Sequence, residues 1–227
     1  MRAPLRTGWA AVLLAVGMAV VLAAQQPGVH PVSGRVFAGV MGYQGAEWLD
    51  RPEREEEEAP DDAIAALNLQ RGEMVADIGA GSGYMSVKMA RKVGPSGIVF
   101  AEDIQPEMID LLKQRLAKER VTNVTPVLGL ADDPKLTPGT LDLELLVDVY
   151  HEFQRPQAML AHLRDALKPS GRLVLLEYRK EDPTIPIRPE HKMSVEVAKL
   201  EVEHEGFKLT KVDEVLPRQH ILIFTKR

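Results

Sequence analysis

Three glycines, Gly79, Gly81 and Gly83, stand between a short apolar segment and a predicted helix. Glycines at such a turn permit positive backbone angles and let a ligand approach the main chain closely. Their GxGxG spacing, with Asp77 two residues before it, differs from the GxGxxG turn that holds a dinucleotide pyrophosphate at a helix N-terminus. The turn therefore predicts a small-molecule site and argues against a dinucleotide-dependent oxidoreductase.

A pair of carboxylates ends the next predicted strand. Glu102 and Asp103 stand there, with Asp103 twenty residues after Gly83. A carboxylate at this place can accept hydrogen bonds from both hydroxyls of a ribose. It can also supply a negative charge to the N-terminus of the following helix, and the two roles are compatible. We expect Asp103 to hold a ribose.

Polar side chains also stand at the end of the fourth predicted strand and directly after it: Asp148, Tyr150, His151 and Glu152. In open α/β sheets, ligands bind beyond the carboxyl ends of the strands, so we expect these residues to face the reacting group. His151 is a candidate general base for a hydroxyl or amine, because the unperturbed pKa of histidine is about 6.5. The alternative is that His151 and Tyr150 only shape and close the pocket.

Strand and helix signals alternate from residue 60 onward. The predicted strands are Met74–Ile78, Ile98–Glu102, Val124–Leu128, Leu141–Val149, Arg172–Glu177, Lys208–Val215 and Ile221–Thr225. The predicted helices are Ala63–Leu69 (capped by Asp61 or Asp62), Tyr84–Val93, Pro106 to about Arg120, Pro156–Leu167, and one from Ser194 to Gly206. This alternation implies a mostly parallel sheet with helices on both faces.

Two details constrain the topology of this sheet. Pro126 lies within the third strand and places it at an edge, as the order 3-2-1-4-5 requires. Only Leu216–His220 join the last two strands, which is too short for a parallel crossover, so the last strand must be antiparallel. We predict that residues 60–227 form a Rossmann-like α/β domain with a seven-stranded, mostly parallel sheet and a C-terminal antiparallel strand.

Over residues 60–227 the chain resembles the class I S-adenosylmethionine-dependent methyltransferases. VADIGAGSGY resembles their first motif, VFAEDIQPEM their acidic second-strand motif and LDLELLVDVYHEF their fourth. LKPSGRLVLLEYR at strand five and HILIF in the terminal hairpin agree with the same family. The resemblance implies S-adenosylmethionine as the cofactor and direct in-line methyl transfer, in which positioning can supply much of the acceleration.

The resemblance also assigns site residues. Gly79 and Gly81 line the cofactor, Asp77 lies near its amino-acid end and Asp103 holds its ribose. Asp132 is the candidate for the adenine amino group, although Leu130 stands where that acid is expected. The full set of expected cofactor contacts is Asp77, Gly79, Ala80, Gly81, Gly83, Asp103, Ile104, Asp132 and Asp148. On the acceptor side, His151 and Tyr150 are the expected catalytic residues, with Tyr150 as a cation–π partner of the sulfonium.

Composition narrows the range of partners. The 227 residues carry a net charge of −5. The sequence therefore lacks the excess of basic residues that would indicate a nucleic-acid partner. The Asn/Asp-Pro-Pro-aromatic tetrapeptide of amino-group DNA methyltransferases is absent. There is no cysteine, and the six histidines lack metal-ligand spacing, so we expect no metal site. A small-molecule acceptor is the resulting expectation.

The N-terminal residues have a different character. Arg2 and Arg6 precede an uncharged run, Gly8–Ala24, which is typical of a secretory signal peptide or, at this length, of an uncleaved membrane anchor. We therefore expect residues 1–24 to direct the chain to the cell envelope; a misassigned start codon would leave it in the cytoplasm. Methyl transfer outside the cytoplasm conflicts with the cytoplasmic origin of S-adenosylmethionine.

Residues 25–59 are expected to be a linker or a lid. Glycine and proline recur, and the acidic run Glu55–Glu58 favours a solvated tether for most of the segment. Tyr43, Trp48 and Leu49 are apolar enough to fold over the cofactor site as a lid.

Two further functions remain open beside the small-molecule methyltransferase. One is a protein carboxyl methyltransferase of the isoaspartyl-repair type, which the IGAGSGY turn also resembles. The other is a non-catalytic cofactor-binding protein of the envelope, suggested by the export signal.

Overall fold

The computed structural model describes residues 28–227, which are built around one β-sheet. Its strands are β1 (Met74–Ile78), β2 (Ile98–Asp103), β3 (Val124–Leu128), β4 (Leu141–Val147), β5 (Leu167–Arg179), β6 (Lys192–Met193), β7 (Phe207–Asp213) and β8 (Gln219–Lys226). They are ordered β3-β2-β1-β4-β5-β8-β7, and β6 pairs with β5 off this path. The seven expected strands are present, and the two-residue β6 is an addition that the sequence pattern did not indicate.

The direction of the strands agrees with the expected topology. β1 to β5 pair in parallel, whereas β8 runs antiparallel to both β5 and β7. Pro126 lies in β3 at the edge of the sheet, where its missing N–H interrupts no second ladder. The Rossmann-like class with a C-terminal antiparallel strand is confirmed.

Helices cover both faces of the sheet. They are α1 (Ala46–Leu49), α2 (Arg54–Glu58), α3 (Pro60–Ala66), α4 (Tyr84–Val93), α5 (Pro106–Glu119), α6 (Pro156–Ala166) and α7 (Val195–His204). One buried apolar cluster joins α3, α4 and α5 to the sheet, and a second joins α6 and α7 to the opposite face. Because both faces are covered, the central part of β5, Leu173–Leu176, is a continuous apolar run.

Several predicted boundaries were wrong by a few residues. α3 begins at Pro60, which fits the first helical position, so Asp61 and Asp62 lie in its first turn and do not cap it. β4 ends at Val147 because Asp148 adopts a positive φ of 54°. β5 begins at Leu167, although Pro169 and Gly171 predicted a helix end followed by a turn.

Residues 28–59, here called the cover segment, pack along the carboxyl edge of the sheet. The backbone N–H of Ala38 donates to the carbonyl oxygen of His151, and the guanidinium of Arg35 binds the buried carboxylate of Glu201 on α7. Within the acidic run, the side chain of Glu58 is only 5% exposed. Glu58 is therefore not solvated, whereas Glu55 and Glu56 of the same run are exposed.

The expected signal peptide or anchor, residues 1–24, lies outside the described residues. Among residues 28–227, no helix has both the length and the apolar character needed to cross a bilayer.

Candidate active site

A cavity of about 500 Å³ opens at the carboxyl ends of β1, β2, β4 and β5. Its walls include the glycine turn after β1, the end of β2 and the loop after β4. Residues 186–188 and 191, in the loop after β5, and part of the cover segment enclose it from the other sides. The position follows the rule that open α/β sheets bind ligands beyond the carboxyl ends of their strands.

One side of the cavity, here called the glycine corner, consists of Gly79, Gly81, Glu102 and Asp103. Gly79 and Gly81 have φ values of 67° and 55°, a region that other residues enter only with strain. Their N–H groups donate to carboxylates: Gly81 to Asp103 Oδ2 at 2.9 Å and Gly79 to Glu102 Oε2 at 3.3 Å. Strand β2 thus fixes the turn that follows β1.

Asp103 has acceptor capacity to spare. Its Oδ1 accepts the N–H of Gln105 at 2.8 Å, and its Oδ2 accepts that of Gly81. A carboxylate offers about four lone-pair sites, so about two remain on a side chain that lines the cavity. Burial raises the pKa of Asp103, and the backbone hydrogen bonds from Gln105 and Gly81 oppose that rise.

The opposite side, here called the histidine cluster, consists of His151, Glu152 and His191. His151 is buried, and its Nδ1 lies 2.5 Å from Glu177 Oε2 on β5. Its Nε2 lies 3.1 Å from His191 Nδ1. The nitrogen that a general base would use therefore already contacts a second imidazole.

Two opposing effects set the charge of His151. Burial lowers its pKa, but the carboxylates of Glu177, Asp148 and Glu152 together outweigh burial, so the pKa of His151 is raised overall. Glu152 stands beside it, with Oε1 accepting the N–H of Met41 in the cover segment at 3.2 Å. Burial also raises the pKa of Glu152, to about 7.

Asp148 lies between these two sides of the cavity. Its Oδ2 accepts the amide N–H of Gln219 at 2.6 Å, while its buried Oδ1 has no hydrogen-bond partner within residues 28–227. Burial is the main cause that raises the pKa of Asp148 well above its usual range, followed by the charges of Glu58 and Glu177.

Comparison with known proteins identifies this arrangement. A family model described as a methyltransferase domain matches residues 75–171, which span β1 to the start of β5. A solved S-adenosylmethionine-dependent methyltransferase from Aquifex aeolicus superposes with a TM-score of 0.78 and 25% identity, over 83% of this chain and 100% of that one. The chain carries a class I S-adenosylmethionine-dependent methyltransferase domain.

Curated relatives are similar over part of their length. The ubiquinone/menaquinone biosynthesis C-methyltransferase UbiE of Cupriavidus metallidurans is 32% identical over 119 residues, 52% of this chain and 48% of that protein. The protein-L-isoaspartate O-methyltransferase of Methanothrix thermoacetophila is 27% identical over 132 residues, 58% and 60% of the two chains. The chain thus spans about half the length of the UbiE proteins it matches.

The cavity of the methyltransferase domain fits S-adenosylmethionine, the cofactor of this family. The free lone pairs of Asp103 suit ribose hydroxyls, and the unpartnered Oδ1 of Asp148 suits an ammonium group. Ile104 and Met108 add apolar wall for a base. The cavity volume also lies within the range of about 300–1,000 Å³ typical of ligand pockets.

Five of the nine expected cofactor residues line the cavity: Gly79, Gly81, Asp103, Ile104 and Asp148. Asp77 and Ala80 lie behind the glycine corner, where Asp77 accepts the hydroxyl of Ser86 at 2.5 Å and Ala80 donates to the carbonyl of Glu102. Burial raises the pKa of Asp77 to about 6. These two residues support the turn without reaching the cavity wall.

Two other expected cofactor contacts are corrected by the structure. Gly83 begins α4 with a φ of 84°, and a side chain there would collide with Leu112 of α5, so it serves helix packing. Asp132 is not part of the cavity wall, and its Oδ2 accepts a hydrogen bond from the guanidinium of Arg155 at 3.0 Å. Its neighbour Ala131 lines the cavity instead.

Tyr150 is also corrected. It is fully buried in the short 3-10 turn Tyr150–Glu152 and does not line the cavity, so it cannot pack against a sulfonium. Its ring meets Phe153 edge-on, and the guanidinium of Arg35 lies 5.7 Å from the ring centroid. The cation that it faces therefore comes from the cover segment.

The cover segment contributes residues that sequence reasoning assigned no role. Arg51, Arg54 and Glu58 line the cavity, and Glu58 accepts hydrogen bonds from both arginines and from the hydroxyl of Tyr178 on β5. Trp48 and Leu49 line the cavity as a lid would, and a side chain on Gly81 would come within 2.5 Å of Leu49 Cδ1.

His191 and Glu177 were also missed. His191 lies in the loop after β5, and His151 lies in the turn after β4. Because these strands are parallel, both histidines lie at the same edge of the sheet, and this was the signal that could have predicted their contact. Glu177 sits inside an apolar strand, and its charge there was the second signal.

Proposed function

We propose that the chain is an S-adenosylmethionine-dependent methyltransferase that acts on a small molecule by direct in-line transfer. The observation that carries this proposal is the shared cavity: the glycine corner and the histidine cluster line the same cavity. A donor held at one side and an acceptor at the other then meet without crossing solvent, as a displacement between bound partners requires.

Different residues of the cavity bind the cofactor, exclude water and act on the acceptor. Asp103 and Asp148 hold the polar ends of S-adenosylmethionine, which when bound supplies a methyl group on a positively charged sulfonium. Val149 and Phe153 give the cavity apolar wall and exclude water. His151, held by Glu177, acts on the nucleophilic atom of the acceptor.

The enclosure favours a small acceptor over a protein. The cover segment lies along one side of the cavity and Ile187, Arg188 and His191 line another, so an extended polypeptide would need one of them to move. The isoaspartate methyltransferases among the relatives keep protein methylation as the second candidate.

A labelled-methyl experiment tests the proposal. The full chain is first titrated with S-adenosylmethionine and with NAD in a calorimeter, and we expect binding of the former alone. Methyl-labelled S-adenosylmethionine is then added with a small-molecule extract, with a peptide that contains isoaspartate, and with a matched peptide that contains aspartate.

Label recovered in an extracted small molecule supports the proposal. Transfer only to the isoaspartate peptide would replace it with protein carboxyl methylation. Tight cofactor binding without transfer to any acceptor would indicate a non-catalytic binding protein, and binding of NAD alone would overturn the assignment entirely.

We also propose, from the sequence alone, that residues 8–24 direct the chain to the cell envelope as a signal or an anchor. Fractionation of cells that express the full chain tests this: recovery with the envelope or the exported fraction supports the proposal, and recovery of the intact chain with cytoplasmic proteins refutes it.

A further inference from the structure

Three metal-ligating side chains converge on the acceptor side of the cavity. His151 and Glu152 come from the turn after β4, and His191 comes from the loop after β5. One ligand atom of each lies within 4.8 Å of the other two. All three residues line the cavity, so a ligand shared by them would face the bound acceptor.

The spacing is close to that of a bound transition metal. His151 Nε2 and His191 Nδ1 lie 3.1 Å apart, and His191 Nδ1 lies 4.0 Å from Glu152 Oε1. Ligands about 2.0–2.1 Å from a tetrahedral zinc ion are separated by roughly 3.3 Å. The three atoms all lie within 4.8 Å of one another, somewhat farther apart than the ligands of a bound ion.

Groups behind the cluster orient its members as they do in metal enzymes. A histidine ligand almost always donates its second ring N–H to a carboxylate or carbonyl, which fixes the ring and raises its basicity. Glu177 Oε2 occupies this position on His151, 2.5 Å from Nδ1. Glu152 is held by the N–H of Met41, which leaves its other oxygen without that constraint.

We propose that His151, Glu152 and His191 form a binding site for a divalent first-row transition metal such as zinc. Two histidines and one carboxylate are a donor set found in catalytic sites that keep a coordination position open for substrate. The side chain of His191 is 25% exposed, which provides a route for the ion to enter.

The proposed metal deepens the proposed function, on which its catalytic role rests. The open position would take an ionisable oxygen of the acceptor, a phenol or an enol, and lower the pKa of that oxygen so that its proton passes to water. A lone pair on the oxygen then forms the bond to the methyl carbon as the methyl–sulfur bond breaks, and that bonding pair stays on sulfur as a neutral thioether. His151 is then a ligand, and proton removal needs no separate base.

Cobalt titration of the chelator-treated full chain tests the site apart from the reaction. We expect one Co²⁺ ion to bind per chain and to show the visible absorption typical of Co²⁺ in a site of low symmetry. Zn²⁺ should compete with Co²⁺ for the same site. His191→Ala and Glu152→Gln should each weaken Co²⁺ binding at least tenfold. His162→Ala, which removes an exposed histidine of α6, is the matched control and should leave binding unchanged.

Affinity for S-adenosylmethionine, measured on each variant, reports whether it is folded, since neither substitution touches the glycine corner. Absence of stoichiometric Co²⁺ binding, or binding that survives both substitutions in folded protein, would overturn the site and leave His151 and His191 as a hydrogen-bonded pair. Metal binding without methyl transfer would instead defeat the proposed function, and full turnover in chelator would defeat only the metal's catalytic role.

Discussion

The glycine corner and the histidine cluster occupy one cavity but are built in different ways. In the glycine corner, backbone N–H groups of one turn donate to carboxylates 22 or 23 residues away on the neighbouring strand. In the histidine cluster, side chains contact side chains: His151 meets Glu177 and His191, 26 and 40 residues away. The backbone of His151 also accepts hydrogen bonds from Ala38 and Arg35 of the cover segment.

This difference indicates which substitutions should affect cofactor binding and which should affect turnover. A site made of backbone and fixed by adjacent strands depends little on which side chains surround it. A site made of side chains from three separate segments can change with few substitutions and can therefore define the acceptor. The two sides should also separate experimentally, with cofactor affinity following the glycine corner and turnover following the histidine cluster.

The largest expected effect is that of His151→Ala on turnover. A group that acts on the reacting proton or atom contributes about 10²–10⁴-fold, so turnover of an identified acceptor should fall by that factor. Affinity for S-adenosylmethionine, measured by calorimetry, should stay within about twofold, and His162→Ala should match the parent in both. Unchanged turnover would show that His151 has only a packing role. It would also contradict the expectation that turnover depends on the histidine cluster.

The second effect is a dependence of stability on pH that arises in the glycine corner. Burial raises the pKa of Glu102 to about 8, and the nearby charges of Asp103 and Asp77 add to the rise, although the N–H of Gly79 opposes it. The folded protein then keeps a proton that the unfolded chain releases. The contribution of Glu102 to stability is complete below about pH 4.5 and is lost as the pH rises toward 8, at no more than about 1.4 kcal/mol per pH unit.

Denaturant unfolding without cofactor, measured between pH 5 and pH 8, tests this dependence. Glu102→Gln keeps an acceptor for Gly79 and cannot ionise, so it should flatten the decline, whereas the exposed Glu107→Gln should retain the parental profile. Equal slopes in the parent and in Glu102→Gln would show that Glu102 is ionised throughout.

The third effect is that of Asp103→Ala on cofactor affinity. Hydrogen bonds to a charged acceptor contribute about 1.5–3 kcal/mol each, so binding of S-adenosylmethionine should weaken by roughly 10- to 100-fold. Asp132→Ala is the matched control, because Asp132 binds Arg155 outside the cavity. Melting without ligand measures the structural role of Asp103: a lower melting temperature with unchanged affinity would reduce it to a support for the turn.

The smallest expected effect is that of removing residues 1–24. A chain that begins at Gln25 should stay soluble and bind S-adenosylmethionine as tightly as the full chain, as calorimetry can measure. An insoluble remainder beside a well-behaved full chain would place residues 1–24 within the folded domain.

The sequence by itself determined the sheet, the strand order and the glycine corner. These predictions depend on local features: apolar runs, the Gly79–Gly83 turn and the short Leu216–His220 connection. Local features can be recognised from the sequence because the residues that form them are close together along the chain. Asp103 was found for the same reason, since the end of β2 lies beside the end of β1 in any sheet of this order.

Only the tertiary structure decided which polar groups share the acceptor side and what the cover segment does. Tyr150 and His151 are adjacent in sequence, yet one is buried against Arg35 and the other lines the cavity, because a 3-10 turn points consecutive side chains in different directions. Glu58 looked solvated within an acidic run, but in the interior Arg51 and Arg54 neutralise its charge and the hydroxyl of Tyr178 donates a hydrogen bond to it. Tyr178 lies 120 residues from Glu58, so their contact depends on packing and no local pattern encodes it.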